Sequence, residues 1–311
     1  MRSATGKQFE LTRTSGRGLS RAILTEVGGG LRFLSVGGVQ LLETFPETQT
    51  PPLGAGSVLV PWPNRVEDGV WRWNGVRQQL DLTEPDRHNA IHGLLRHTPY
   101  AVRERTDDSI TLTATVFPQH GYPFQLDTAV SYRLEDDGIT VRHDITNVSA
   151  DTAPVAIGAH PYFRIGDVPT SDLTLTLAAA THFEVDARLN PIREVPVAGT
   201  EYDFRGGRLV DDLRLDDGFG AAVFDGAGDG AVARHTLRSP DGRMLTLWQD
   251  SCFGYVQAFT TRQFPGRELA IAIEPMTAPA NAFNSGGGVH WLECGETWSA
   301  TWGVRYSEAS R

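Results

Sequence analysis

The chain has 311 residues, of which 33 are Gly and 18 Pro, with 40% hydrophobic and only 21% charged residues. Against a domain size of roughly 150 residues the length suggests two domains, yet all-β sandwiches run long as single domains and their turns consume Gly and Pro. The 28 Lys+Arg against 38 Asp+Glu leave a formal net charge of −10, which excludes the basic footprint that nucleic acid or an anionic membrane surface requires.

The first residues carry no apolar signal core, and no apolar run reaches the roughly 18 residues of a membrane span, so a soluble, cytoplasmic protein is expected. The Pro-rich stretch 45–63 is the best linker candidate, but alternating strand patterns stand on both sides of it. Period-2 patterning dominates the rest of the chain. It is strongest where Phe124, Leu126, Thr128, Val130, Tyr132 and Leu134 alternate with polar residues, and where Ile139, Val141 and Ile145 continue after Asp137-Gly138. Asp-Gly between two alternating runs predicts a hairpin, because Gly accepts the positive φ of a tight turn.

Further Asp-Gly pairs at 68–69, 217–218, 225–226, 229–230 and 241–242, and Asn74-Gly75, read as turns in the same way. Shorter alternations lie at 110–116, 173–177 and 269–273, and no long segment has helical periodicity with good caps. Cys252 and Cys294 form neither a disulfide framework nor a Cys-x-x-Cys motif and read as two buried small apolar residues. The expectation is all-β: one large antiparallel β-sandwich spanning 1–311.

Four polar clusters stand out. Asn64 and Arg65 follow Pro61-Trp62-Pro63 and precede Trp71-Arg72-Trp73, a mixture of aromatic faces and hydrogen-bonding groups that suits a sugar. His88, His92 and His97 fall within ten residues. A cupin-like metal cage of His88, His92 and His160 is conceivable, although no HExxH pattern is present. His160 precedes Pro161, which biases it toward extended backbone, and Tyr162-Phe163 follow. Glu274 ends the apolar run Ile271-Ala272-Ile273, where Pro275 is expected to stop the strand ladder. Partial burial there raises a carboxyl pKa toward the range useful for proton transfer.

Taken in order, Asn64-Arg65, Asn89-Ala90-Ile91-His92-Gly93, His160-Pro161-Tyr162-Phe163, Glu274-Pro275-Met276-Thr277, Asn281-Ala282-Phe283-Asn284 and Leu292-Glu293-Cys294-Gly295-Glu296-Thr297 resemble the aldose 1-epimerase (galactose mutarotase) family, over roughly residues 20–305. The resemblance implies a large β-sandwich with a sugar cleft and interconversion of the anomers of a free hexose, with no metal or organic cofactor. It implies Glu274 as general base on the C1 hydroxyl and His160 as general acid on the ring oxygen. Arg65, His92 and Asp216 match sugar-binding positions, and Asn64 is grouped with them. Asp217, or an Asp-Gly turn, is an alternative reading of the Asp216 segment.

The flanks depart from the common pattern: Ala159 precedes the acid, Arg164-Ile165 follow the aromatic pair, and Leu94-Leu95-Arg96 follow Gly93. These leave a hexose 6-phosphate open, with Arg96 and Arg164 as phosphate donors, although the acidic balance weighs mildly against it. A non-catalytic carbohydrate-binding protein is a further alternative, and a glycosidase would pair Glu274 with Asp216. The partner expected is a small-molecule sugar, with no nucleic acid and no membrane, and the chain a monomer or homodimer.

Overall fold

The computed structural model describes residues 3–309, and every strand pairing between its elements is antiparallel. The Asp137-Gly138 hairpin forms as the alternation predicts. Strand Leu126–Leu134 pairs with Gly138–Asn147, and Val130 faces His143 while Tyr132 faces Val141. These strands lie in a ten-stranded sheet that also contains Ser109–Val116, Thr297–Ser307, Met244–Asp250 and Val232–Arg238. An eight-stranded sheet holds Thr-rich and Ala-rich central strands, including Asp216–Ala222, Tyr255–Thr261 and Ala270–Met276. A four-stranded sheet is built from residues 8–40.

The hydrophobic core runs through both large sheets. Leu245, Leu247, Val304 and Val141 from the first join Phe219, Val256, Ala258 and Ile273 from the second in one buried cluster that extends from Phe9 to Tyr306. Each fully buried Leu, Ile or Phe contributes about 1.5–3 kcal/mol, so this cluster rather than any single polar contact holds the layers together. The only α-helix among the described residues is one turn, Ala282–Ser285, in keeping with the lack of helical periodicity. No helix is long and apolar enough to cross a membrane.

Three local expectations are corrected. Asp217-Gly218 is not a turn but lies inside strand Asp216–Ala222, where Gly218 faces Gln257. Pro275 does not end its strand: Ala270–Met276 runs through it, and Pro275 pairs with Val256. The missing N–H is tolerated because the strand on the other side, which pairs at Gly158 and again at Tyr162, is interrupted opposite this point. Finally, Cys252 is half-buried and Cys294 exposed. Both occupy turns; the Cys252 thiol donates to the Ser299 carbonyl at 3.6 Å, and burial pushes its pKa up to about 11.

Candidate active site

Strand alternation gathers the polar residues of the eight-stranded sheet. Gln257 stands opposite Glu274, and Asp216 opposite Phe259, so these four share one face, while Asp217, Ala258 and Ile273 point to the other. That parity decides between the two aspartates. Asp216 lines a cavity of about 600 Å³ together with Asn64, Arg65, His92, Arg96, His160, Gln257, Phe259 and Glu274. Asp217 instead meets buried His182 at 2.7 Å on the opposite face. A second hollow of about 680 Å³, lined by Arg103, Asp127 and Asp144, shares no residue with this cavity and gathers no acid–base pair.

His160 reaches the cavity through a gap in the sheet. The pairings Gly158↔Met276 and Tyr162↔Ala272 fix a register that sets His160 opposite Glu274. No backbone bond joins the two there. The His160 N–H donates to the Ser57 carbonyl at 3.2 Å, and its own carbonyl accepts the Gly56 N–H at 2.8 Å. Tyr162 stacks on the imidazole at 5.1 Å between ring centroids, and Gly54 packs against its far edge, where a Cβ would lie 3.4 Å from Cδ2.

The resulting contact is His160 Nε2 to Glu274 Oε1, 3.4 Å, with both side chains buried. His160 Nδ1 and Glu274 Oε2 have no hydrogen-bond partner. Burial, reinforced by the Asp216 charge and opposed by Arg65, pushes the Glu274 carboxyl well above its ordinary range. Burial likewise pushes His160 down to about 4, with Arg96 and Arg65 adding to the effect. The pair therefore holds one dissociable proton between two sites that both favour neutrality.

His92 and Asn64 come from the segments that flank a small antiparallel ladder, Arg65–Glu67 with Asn89–Ile91. Both have left-handed backbone, φ 62° and 55°, which is uncommon outside Gly and clusters at functional sites. Gly93 follows at φ 70°, and a Cβ there would meet the Val60 carbonyl oxygen at 2.2 Å, so only Gly fits. The Asn64 N–H donates to His92 Nδ1 at 3.1 Å. That acceptor role leaves the proton of a neutral His92 on Nε2. Burial, the nearby His160 and the two arginines Arg96 and Arg65 hold His92 well below its ordinary pKa, and its ring packs edge-on to His160 at 5.4 Å.

Arg65 is locked. Its Nε and Nη2 donate to the Glu84 carboxylate at 2.9 and 3.0 Å, and Nη2 also reaches Asp216 at 3.4 Å. Burial alone lowers its pKa, but the Glu84 and Asp216 carboxylates outweigh that and raise it. Gln257 completes the network by donating to Asp216 Oδ1 at 2.9 Å and accepting from Asn64 Nδ2 at 3.0 Å.

All six residues singled out in the sequence (Asn64, Arg65, His92, His160, Asp216 and Glu274) line the one cavity. Other expectations fail. Trp62 and Trp71 are core residues packed on Phe283, and Phe259 is the aromatic side chain that lines the cavity. His88 is exposed and meets Asp68 at 3.0 Å, so no cage of His88, His92 and His160 exists. Arg164 turns away to Glu43 and the Gly166 carbonyl. His92, His160 and Glu274 do bring one ligand atom each within 4.8 Å of one another, a spacing that fits an ion. Arg65 and Arg96 on the same wall oppose a divalent cation electrostatically. Glu84 and Gln257 were missed; Gln257 is identified only by the strand register that sets it opposite Glu274.

The aldose 1-epimerase family profile matches residues 10–305. The Escherichia coli K12 protein YihR, itself uncharacterized, is 31% identical over 277 residues, covering 88% of this chain and 86% of that one. Among solved structures, the GalM/aldose epimerase homologue from C. elegans superposes with a TM-score of 0.83 at 17% identity, covering 98% of this chain and all 100% of that chain. Galactose 1-epimerase from Lactobacillus acidophilus superposes with a TM-score of 0.78 at 20% identity, covering 100% and 97%. These likenesses bear on the fold, an antiparallel β-sandwich of the galactose mutarotase type. With the profile match and the sequence relative together, the chain belongs to the aldose 1-epimerase family.

Proposed function

We propose that this chain is an isomerase that interconverts the α and β anomers of an aldohexose such as glucose or galactose by acid–base ring opening, without a metal or organic cofactor. The observation that carries this is the buried His160–Glu274 contact, 3.4 Å long, between two residues that line the cavity, with His160 Nδ1 and Glu274 Oε2 buried and unpartnered. The C1 hydroxyl and the ring oxygen are both bonded to C1, so the groups that exchange protons with them must be close neighbours.

In the ion-pair form, Glu274 carboxylate takes the C1 hydroxyl proton while the C1–ring oxygen bond breaks and His160 donates its Nε2 proton to that oxygen. This leaves an open-chain aldehyde, a protonated Glu274 and a neutral His160, which is the form that burial favours. Rotation about C1–C2 turns the other carbonyl face toward the freed hydroxyl. On closure the hydroxyl proton returns to His160 and the Glu274 proton goes to the carbonyl oxygen. No proton is gained or lost, and each group contributes about 10²–10⁴-fold.

His92, with Nε2–H available, and Arg65 and Asp216, fixed by Glu84 and Gln257, serve as the hydrogen-bonding frame for the sugar. A purely carbohydrate-binding role gives no reason to bury an unpaired acid–base couple. The test is polarimetry from pure α-D-glucose and α-D-galactose. Wild type accelerates the approach to equilibrium, and Glu274→Gln and His160→Ala fall to near the spontaneous rate. Full activity in Glu274→Gln overturns the mechanism, and sugar binding without acceleration favours the binding role.

A further inference from the structure

Leu53 is the anomaly of the cavity. Among the described residues nine that are not Gly have left-handed backbone, and three of them, Leu53, Asn64 and His92, line this one cavity. Asn and His are residue types that tolerate the region; Leu is not. At φ 51° and ψ 32°, Leu53 occupies a conformation that Gly or Asn would adopt at lower cost. The surroundings hold it there. Pro51 and Pro52 lead in, the Pro52 carbonyl accepts the Ala55 N–H at 3.0 Å, and the Gly54 carbonyl accepts the Ser57 N–H at 3.1 Å. The Tyr162 hydroxyl donates to the carbonyl of Leu53 itself at 3.4 Å. Strain of this kind persists where neighbouring structure over-determines it, and it gathers at functional sites.

Core packing does not account for the Leu side chain. It is 41% exposed and belongs to none of the hydrophobic clusters. Ile91 and Phe259, the other large apolar side chains on the cavity wall, are half-buried. The place of Leu53 is defined by Tyr162, whose ring stacks on His160 and lies edge-on to Phe259 at 6.4 Å between centroids. Leu53 and Phe259 thus both adjoin Tyr162, on the flank of His160. What is left for an exposed, strained Leu to meet is the content of the cavity.

Resting on the mutarotase reading above, we propose that Leu53 is a further substrate-contacting residue, whose side chain seats ring C–H groups of the sugar while the polar residues hold its hydroxyls. An apolar group at the wall leaves water only when a ligand covers it. This contact is made by the cyclic and the opened sugar alike, so it serves binding and not the proton transfers.

The experiment is polarimetry of the full chain from pure α-D-glucose and α-D-galactose over a concentration series, with the pH profile of kcat and the Tm of each variant. Leu53→Asn and Leu53→Gly raise KM about 3- to 10-fold, the worth of covering the exposed part of a Leu side chain. Both leave kcat within about 2-fold and its pH profile in place, because the acid–base pair is untouched. Leu53→Asn does not lower Tm, since Asn accepts the left-handed backbone. Leu53→Met, which keeps an apolar side chain, recovers most of the loss in KM. Unchanged KM in both the Asn and Gly variants overturns this inference alone. So does a fall in kcat with a shifted pH profile and a lowered Tm, which makes Leu53 a prop for His160 instead of a sugar contact. No acceleration of either sugar by wild type overturns the mutarotase reading with it.

Discussion

Gln257 holds the Asp216 carboxylate that faces the cavity, and replacing it by Leu tests the network directly. Leu keeps the volume but leaves Asp216 Oδ1 and Asn64 Nδ2, now bonded at 2.9 and 3.0 Å, without those partners. An unsatisfied buried group costs about 1–3 kcal/mol. Asn64 is fully enclosed, whereas the Asp216 side chain is 28% exposed and water can replace part of its loss. The sum is about 2–4 kcal/mol. At about 2.1 cal/mol/K per residue, a 311-residue chain has an unfolding entropy near 0.65 kcal/mol/K, so Tm should fall by about 3–6 °C.

Asp216 then keeps only its 3.4 Å contact with Arg65, so KM for the sugar should rise about 10-fold with a smaller change in kcat, because the acid–base pair is untouched. Gln257→Glu sharpens the test. It keeps an acceptor for Asn64 but sets a carboxyl against Asp216 and Glu274, so its defect should deepen from pH 6 to pH 8. Calorimetry and polarimetry over a sugar titration read both quantities. A Gln257→Leu protein with unchanged Tm and unchanged KM would refute the idea that this side chain orients Asp216.

Two further outcomes are expected. His143 and His235, remote from the cavity lining, are each pushed down to about 4 by burial. Between about pH 4 and their ordinary 6.5, the unfolded chain binds protons that the folded chain refuses, so stability falls on acidification, by at most about 3 kcal/mol per histidine. Glu274, raised by burial, works in the opposite sense above the ordinary carboxylate pKa. Urea unfolding at pH 7, 6 and 5 should show a falling midpoint, and equal midpoints at pH 7 and 5 contradict the burial of those histidines in neutral form. Dialysis against EDTA should leave anomer exchange unchanged. Loss of activity that Zn²⁺ restores would turn the His92–His160–Glu274 cluster into a metal site.

The sheet architecture was legible because period-2 alternation and Asp-Gly turns report short-range geometry. They failed where long-range pairing overrode them. Asp217-Gly218 has turn chemistry, but the neighbouring strands at Phe183 and Gln257 hold it extended. Pro275 reads as a strand terminator unless one knows that the facing strand is broken. The candidate site residues were singled out by their ordered resemblance to a family, and they line one cavity, whereas the packing around them was not legible. Trp71 donates to the Gly121 carbonyl at 2.8 Å inside the core instead of meeting a sugar. The burial that raises Glu274 depends on strands far apart in sequence, which no local window contains. Gln257 carries no local signal at all, and its importance arises only from the register with Glu274.

The break in the ladder between Gly158 and Tyr162 has a mechanical consequence. Elsewhere, parting two central strands means severing several backbone hydrogen bonds at once. Along this short seam no strand pairing is formed between Gly158 and Tyr162, and Pro161 and Pro275 offer no N–H to bridge it. His160 is anchored behind, to Gly56 and Ser57, and Glu274 belongs to a strand anchored ahead, to that of Gln257. The imidazole and the carboxyl are thus mounted on opposite banks of a slit in an otherwise continuous sheet. A change in the spacing of these two side chains therefore breaks no strand pairing between His160 and Glu274 themselves.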